Sequence, residues 1–166
     1  MDIIIRTIQP EDNPRIASII RNSLAEFGAN KPGTVYFDAS TDHLFETFQT
    51  PRSIYYVAVD KDVLVGGAGI YPSPGLPGDT CELVKMYLAP QSRGMGIGRL
   101  LMEKCIAYTK QAGYQKIYLE TLPELKKAIS VYEKFNFKYL PGPLGNTGHF
   151  GCDVWMIRQC TMDNGQ

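Results

Sequence analysis

The stretch that decides the fold is Glu82–Met102, ELVKMYLAPQSRGMGIGRLLM. An extended run through Leu83, Val84, Met86, Tyr87 and Leu88 reaches Ala89-Pro90. A short polar turn follows, then Arg93-Gly94-Met95-Gly96-Ile97-Gly98, and then a helical pattern begins. Three glycines at alternate positions between a strand and a helix remove Cβ atoms from a loop, so that its backbone N–H groups can face inward together. Backed by the positive end of the following helix, such N–H groups form an anion site. The loop reads as the cradle for a cofactor pyrophosphate, and the rest of the chain as scaffold around it.

Three nucleotide-type loops compete for this reading. A P-loop requires Gly-Lys followed by Ser or Thr, whereas the chain has Gly98-Arg99-Leu100, so it falls. A dinucleotide fingerprint has the strand, glycine turn and helix, and Glu120 ends the next strand about where a ribose-binding acid belongs. Its spacing is GxGxxG near the start of a βαβ unit, however, and here the spacing is GxGxG after hairpin-like structure. The third candidate is the coenzyme A loop of the GNAT superfamily of N-acetyltransferases, Gln/Arg-x-x-Gly-x-Gly/Ala, which Arg93, Gly96 and Gly98 resemble without a gap.

Composition bounds the alternatives. The chain has 166 residues, enough for one domain with a substantial core. Its 17 basic and 17 acidic residues cancel, giving no electrostatic grip on nucleic acid or an anionic membrane. Cys81, Cys105, Cys152 and Cys160 form no CxxC or zinc spacing and read as small buried thiols. No secretory leader opens the chain and no apolar run nears the length of a membrane span, so a reducing cytoplasm is expected.

Along the chain, Asp2–Gln9 reads as a strand, and a helix from about Pro10 carries Ile16, Ile19, Ile20, Leu24 and Phe27 to Gly28. Gly28–Ser40 is turn-rich yet holds Val35, Tyr36 and Phe37. Thr41–Phe48 reads as a short helix. Ser53–Val59 and Val63–Tyr71 pair through Asp60-Lys61-Asp62, with Gly66-Gly67 marking a bulge or a close backbone approach. After the glycine loop, Ile97, Leu100, Leu101, Cys105 and Tyr108 make a helical stripe. Lys116–Glu120 is a strand, Pro123 starts a helix through Leu125, Ala128, Ile129, Tyr132 and Phe135, and Phe137–Leu140 and Asp153–Ile157 are the last strands. The order is β-α-α-β-β-β-α-β-α-β-β.

That order is similar to the GNAT order, most strongly over Cys81–Leu140. Beyond the loop, Ala128, Tyr132 and Phe137 match the family's A-x-x-x-Y-x-x-x-G-F, and Glu82 stands where histone-type members carry a general base. Asn136 replaces the usual glycine, a mild change because Asn tolerates the left-handed conformation. Leu125 stands where many members have Asn. The resemblance implies a single α/β (α+β) domain over residues 1–166, with a mixed, mostly antiparallel seven-stranded sheet, four flanking helices, and strands four and five splayed apart. It also implies transfer of an acetyl group from acetyl-CoA directly to a primary amine, whether small molecule, amino acid or peptide, in a ternary complex without metal.

Residue roles follow from that resemblance. N–H groups of Gly94, Met95, Gly96, Ile97 and Gly98 meet the pyrophosphate, with Arg93 and Arg99 as cationic neighbours. Met86, Tyr87 and Leu88 border the pantetheine arm, which pairs like an extra strand with Met86 and Leu88. Glu82 is the candidate base, although a carboxylate near 4.3 is weak against an ammonium near 10; the alternative is a strand glutamate facing solvent or pairing with Lys85. Tyr132 is the candidate acid, or a core residue of its helix stripe. Asn30, Lys31, Tyr36, Phe37 and Glu120 are assigned to the acceptor pocket. Lys126 and Lys127 read as a solvated face or as contacts to the 3′-phosphate, and His149 as a loop residue rather than a second base. A homodimer is expected by analogy. Rival readings are a non-catalytic acyl-CoA-binding module and a nicotinamide-dependent oxidoreductase.

Overall fold

The structure is a computed structural model that describes residues 2–160; Met1 and residues 161–166 of the expected domain lie outside the described residues. Seven strands form one sheet in the order β1-β2-β3-β4-β5-β7-β6. They are β1 (Ile3–Thr7), β2 (Ile54–Asp60), β3 (Val63–Tyr71), β4 (Thr80–Leu88), β5 (Lys116–Thr121), β6 (Lys138–Leu140) and β7 (Val154–Gln159). The helices are α1 (Asn13–Glu26), α2 (Leu44–Thr47), α3 (Ile97–Gln111) and α4 (Lys126–Lys134). Every strand pairing is antiparallel except β4 with β5.

Period-two alternation sends the two faces of the strands into separate cores. In β2, Tyr55 and Val57 join α1 (Ile16, Ile20, Leu24) and Leu44 of α2. Ala58, on the opposite face, joins Ile97, Leu101, Met102 and Cys105 of α3. The helix boundaries shift modestly from the sequence expectation. Pro10–Asp12 forms a separate 3-10 turn before α1, and Val35–Phe37 and Ala39–Asp42 are 3-10 turns rather than loop and helix start. The last helix begins at Lys126 instead of Pro123. On α3 the expected Leu100 is 39% exposed, and Met102 and Ile106 take its share of the stripe.

One irregularity sets up the site. β4 is parallel to β5 along Thr80–Glu82, opposite Lys116–Tyr118, and the two strands then part. On its other edge, the β3 register jumps between Gly67↔Tyr87 and Gly69↔Val84, so β4 carries an extra residue there. Lys85 takes the strain with φ +52°, in the left-handed region that non-glycine residues rarely occupy. A bulge of this kind bends and twists its strand and re-aims the residues beyond it. The hydroxyl of buried Tyr55 donates to the Lys85 carbonyl at 2.7 Å and braces it. Tyr55 fits only because β3 is bare beside it. A Cβ on Gly67 would lie 2.5 Å from the Tyr55 ring and 2.8 Å from the Tyr56 carbonyl oxygen, and one on Gly69 equally close to that ring.

Gly67→Ala should therefore overpack a site where backbone, not only a movable side chain, stands in the way. The expected loss is about 1–3 kcal/mol, read as a fall in Tm of roughly 3–10 °C for a domain of this size. An unchanged melting curve would show that β3 does not need the glycine for packing.

Candidate active site

Two cavities meet where β4 leaves β5, and Met86, Tyr87 and Leu125 line both. The larger is an open groove of about 730 Å³ between the end of β4, the glycine loop and α4. Gly94 (φ +75°) and Gly96 (φ +82°) turn the chain in the left-handed region, and nothing lies within 4 Å of a Cβ at either. Gly96 caps α3, so Ile97, Gly98 and Arg99 are its first residues; N–H groups in a first turn have no carbonyl four residues back. Arg99, Lys126, Lys127 and Lys134 also border the groove. The cradle anticipated from the glycines is thus an open, donor-rich bend.

Arg93 is deployed differently from a bare cation. Its Nε donates to the Leu88 carbonyl at 3.1 Å, Nη1 to Glu26 at 2.8 Å and Nη2 to the Ser23 hydroxyl at 3.2 Å, and the guanidinium lies 5.2 Å over the Phe27 ring. It pins the end of β4 to the end of α1 and occupies the Leu88 carbonyl. Met95 is half exposed on the loop, whereas the Ile97 side chain is wholly buried. Asn136 adopts φ +68°, as its substitution for glycine requires.

The second cavity is a narrow chamber of about 40 Å³ on the other side of the gap. Glu82 and Glu120 enter it from β4 and β5, and Tyr132 from α4. Glu82 is 3% exposed and accepts a hydrogen bond from the Ser73 hydroxyl. Burial, seconded by the nearby Glu120 charge, pushes its carboxyl up to about 7, against the opposing Ser73 bond. Of the two sequence readings, a solvent-facing glutamate is therefore excluded by the fold, and Lys85 pairs with Asp38 (3.3 Å) instead. Glu120 accepts from Tyr118 at 2.6 Å and from the Thr147 hydroxyl. Burial opposes its charge, but these bonds and His149 hold it below the ordinary range.

His149, read from sequence as a loop residue, is both a loop residue and part of the chamber wall. Its Nε2 lies 2.7 Å from Asp38 and its Nδ1 3.6 Å from Glu120. Burial alone would lower its pKa; the two carboxylates outweigh that and raise it to about 9, so both ring nitrogens carry protons at neutral pH. One donor atom each from Glu82, Glu120 and His149 lies within 4.8 Å of the others, a set that could hold a metal ion only after the imidazolium gave up a proton. Cys152 also lines the chamber, and burial pushes its thiol up to about 12.

The first long loop reaches the chamber with Thr34 and Val35 in its wall and Asp38 on His149. Asn30, Lys31, Tyr36 and Phe37 stand outside the lining: Lys31 pairs with Glu124 at 3.4 Å, the Tyr36 carbonyl accepts from Arg21, and Phe37 is 61% exposed. Asp38, Ser73, Thr147 and Cys152 escaped the sequence reading. Nothing in local spacing links Asp38 to His149, 111 positions apart.

With this geometry described, known proteins supply the frame. The model of the Acetyltransferase (GNAT) family matches residues 19–137. The chain belongs to the GNAT acetyltransferase family. It is 39% identical over 158 residues to the uncharacterized N-acetyltransferase YjgM of Escherichia coli K12, covering 94% of each chain. In fold, this GNAT chain is similar to a GNAT-family acetyltransferase from Staphylococcus aureus Mu50, with a TM-score of 0.83 and 19% identity over 96% of this chain and 99% of that one. It is also similar to the PaiA N-acetyltransferase of Thermoplasma acidophilum, solved with coenzyme A, at a TM-score of 0.75 and 20% identity over 96% and 99%. The seven-stranded sheet with splayed central strands is the GNAT sheet.

The Glu82 titration has a consequence for stability. A carboxyl near 4.5 when unfolded and about 7 when folded favours the folded state below the lower value, and that advantage is lost as pH rises through the upper one. Glu82→Gln cannot titrate. Relative to wild type it should gain up to about 3 kcal/mol between pH 4.5 and 8. Parallel unfolding curves at pH 5 and pH 8 check this; a constant difference would contradict the raised pKa.

Proposed function

We propose that the protein is an acetyl-CoA-dependent N-acetyltransferase that moves an acetyl group to a primary amine by direct transfer in a ternary complex. The observation that carries this reading is the pair of cavities meeting between β4 and β5, one a donor-rich groove and one an acidic chamber. In the groove, N–H groups from Gly94 to Gly98 meet the pyrophosphate of the coenzyme, with Arg99 beside them and Arg93 holding the loop in place. The pantetheine arm lies along the edge of β4 that β5 has vacated. Lys126, Lys127 and Lys134 on α4 supply positive charge on the far wall. That coenzyme A sits in PaiA of the same fold supports the cofactor.

The acceptor arrives from the chamber side as an ammonium. Glu82, poised near neutrality, takes one proton and leaves a free amine. The nitrogen attacks the thioester carbonyl carbon; the N–C bond forms, the C–S bond breaks, and the departing thiolate takes a proton from Tyr132. Of the two protons the nitrogen sheds, one leaves through Glu82 to solvent and the other makes good the proton that ends on the coenzyme A thiol. Burial raises the Tyr132 phenol above its ordinary range, which keeps it protonated. A thiolate in the same dry space is raised too, as the Cys152 thiol at about 12 illustrates. That same shift leaves Cys152 unionised and a poor nucleophile, in keeping with direct transfer. The buried thiols of Cys81, Cys105 and Cys152 agree with a reducing, cytoplasmic setting.

Calorimetry should show acetyl-CoA binding that Gly98→Val weakens roughly tenfold or more, since a Cβ there meets only Met86 and Leu88 side chains, at 3.4 Å or beyond, and adds its bulk to the groove. Tyr132→Phe should keep that affinity while kcat falls about a hundredfold. Absence of heat with acetyl-CoA would remove the reading, and full turnover by the Tyr132 variant would remove its acid.

A further inference from the structure

The charges of the chamber are unevenly matched, and the mismatch selects an acceptor. Three carboxylates belong to its polar network: Asp38, Glu82 and Glu120. Among the described residues, two cations touch them, Lys85 and His149, and both lie on Asp38, at 3.3 and 2.7 Å. His149 reaches Glu120 at 3.6 Å. Among the described residues Glu82 has the Ser73 hydroxyl and no ion pair of its own, a His149 nitrogen lying within 4.8 Å. Oxygens of Glu82 and Glu120 approach within 4.8 Å, a gap that one ammonium can bridge with charge-assisted hydrogen bonds of about 2.7–2.9 Å. An anion in the same place would face two carboxylates. Of the cations that could answer it, Lys85 is held by Asp38, and the His149 ring is shared between Asp38 and Glu120.

Much of the remaining wall is apolar, with Leu24, Val35, Leu122 and Leu125 beside Thr34 and Thr121. The loop from Pro141 to Asp153 roofs the chamber and is tied down on several sides. Gly151 N–H donates to the Gly33 carbonyl at 2.9 Å, Asn146 N–H to Pro74 at 2.8 Å and Leu144 N–H to the Tyr118 hydroxyl at 3.1 Å. A roof held to three separate segments favours a small free molecule over a side chain carried on a protein surface.

We propose that the acceptor is a small free amine on an apolar chain, with no carboxylate beside the nitrogen, received as its ammonium between Glu82 and Glu120. This rests on the acetyl-transfer reading and names its substrate class. Glu120, held charged by Tyr118, Thr147 and His149, is the constant half of the receptor; Glu82 is the half that accepts the proton. His149 is a positioning residue, fixing Glu120 from one nitrogen and the roof from the other. An α-amino acid would bring its carboxylate within two bonds of the nitrogen and so against both acids.

Matched acceptors test this. Thiol release from acetyl-CoA is followed with pentylamine against norleucine, and phenethylamine against phenylalanine, pairs that differ by the carboxylate alone. Methyl esters of the two amino acids and an N-terminally blocked peptide with one internal lysine complete the set. The amines should exceed their acids in kcat/KM by at least about 100-fold, as like charges at contact distance require, and the esters should recover most of the difference. Glu120→Gln, which can still accept from Tyr118 and Thr147, should shrink the amine-to-acid ratio at least about tenfold with acetyl-CoA affinity unchanged. Amino acids used as well as their amines, turnover confined to the peptide, or acetyl-CoA binding without turnover of any amine would each overturn the acceptor class while leaving the cofactor site standing. No heat with acetyl-CoA would overturn the transferase reading itself.

Discussion

Everything functional in this molecule depends on β4 abandoning β5 after three paired residues. A sheet that continued its ladder would bury the β4 edge and close the gap at Glu82. The departure is enforced by the bulge at Lys85, a residue in a backbone conformation it would not adopt freely. That conformation persists because its surroundings over-determine it: the Tyr55 hydroxyl on its carbonyl, Asp38 on its ammonium, and glycines on β3 that admit the Tyr55 ring. Local strain is balanced by packing a strand away. The residue that bends the sheet also anchors a charge of the chamber, so backbone shape and site electrostatics share one origin.

The acidic chamber shows how burial sorts like groups into unlike roles. Glu82 and Glu120 lie on neighbouring strands, yet one is raised to about 7 and the other held below the usual carboxylate range. The difference lies in their partners: one hydroxyl for Glu82, against two hydroxyls and an imidazolium for Glu120. Two carboxyls pushed apart in this way give one group able to exchange a proton and one that keeps its charge.

Much of this was legible in the sequence because it is local. The glycine spacing at Gly94, Gly96 and Gly98 is a backbone requirement, and the fold uses it as one. The helix stripes on α1 and α3 name most of their buried faces, and Gly66-Gly67 marks the disturbed strand. Asn136 sits in the left-handed conformation its replacement of glycine demanded. The chamber was much less legible. Glu120 lines its wall, but the loop residues chosen for their aromatic and polar character, Tyr36 and Phe37 among them, turn elsewhere, and the next residue, Asp38, makes the contact. His149 carried no local signal, since its partners come from a loop and a strand distant in the chain and its charge is created by their approach. Arg93 matched a motif position, yet its guanidinium went to Leu88, Ser23 and Glu26, a choice fixed by tertiary packing alone.

The two cavities share Met86, Tyr87 and Leu125 and are otherwise lined by different residues. For a transferase working across such a partition, the reaction happens in a doorway rather than at the end of a cul-de-sac. Each product has its own way out, and neither must wait for the other to clear a common corridor. The sequence of departure is then governed by how tightly each is held, which the chain can adjust in one cavity without rebuilding the other.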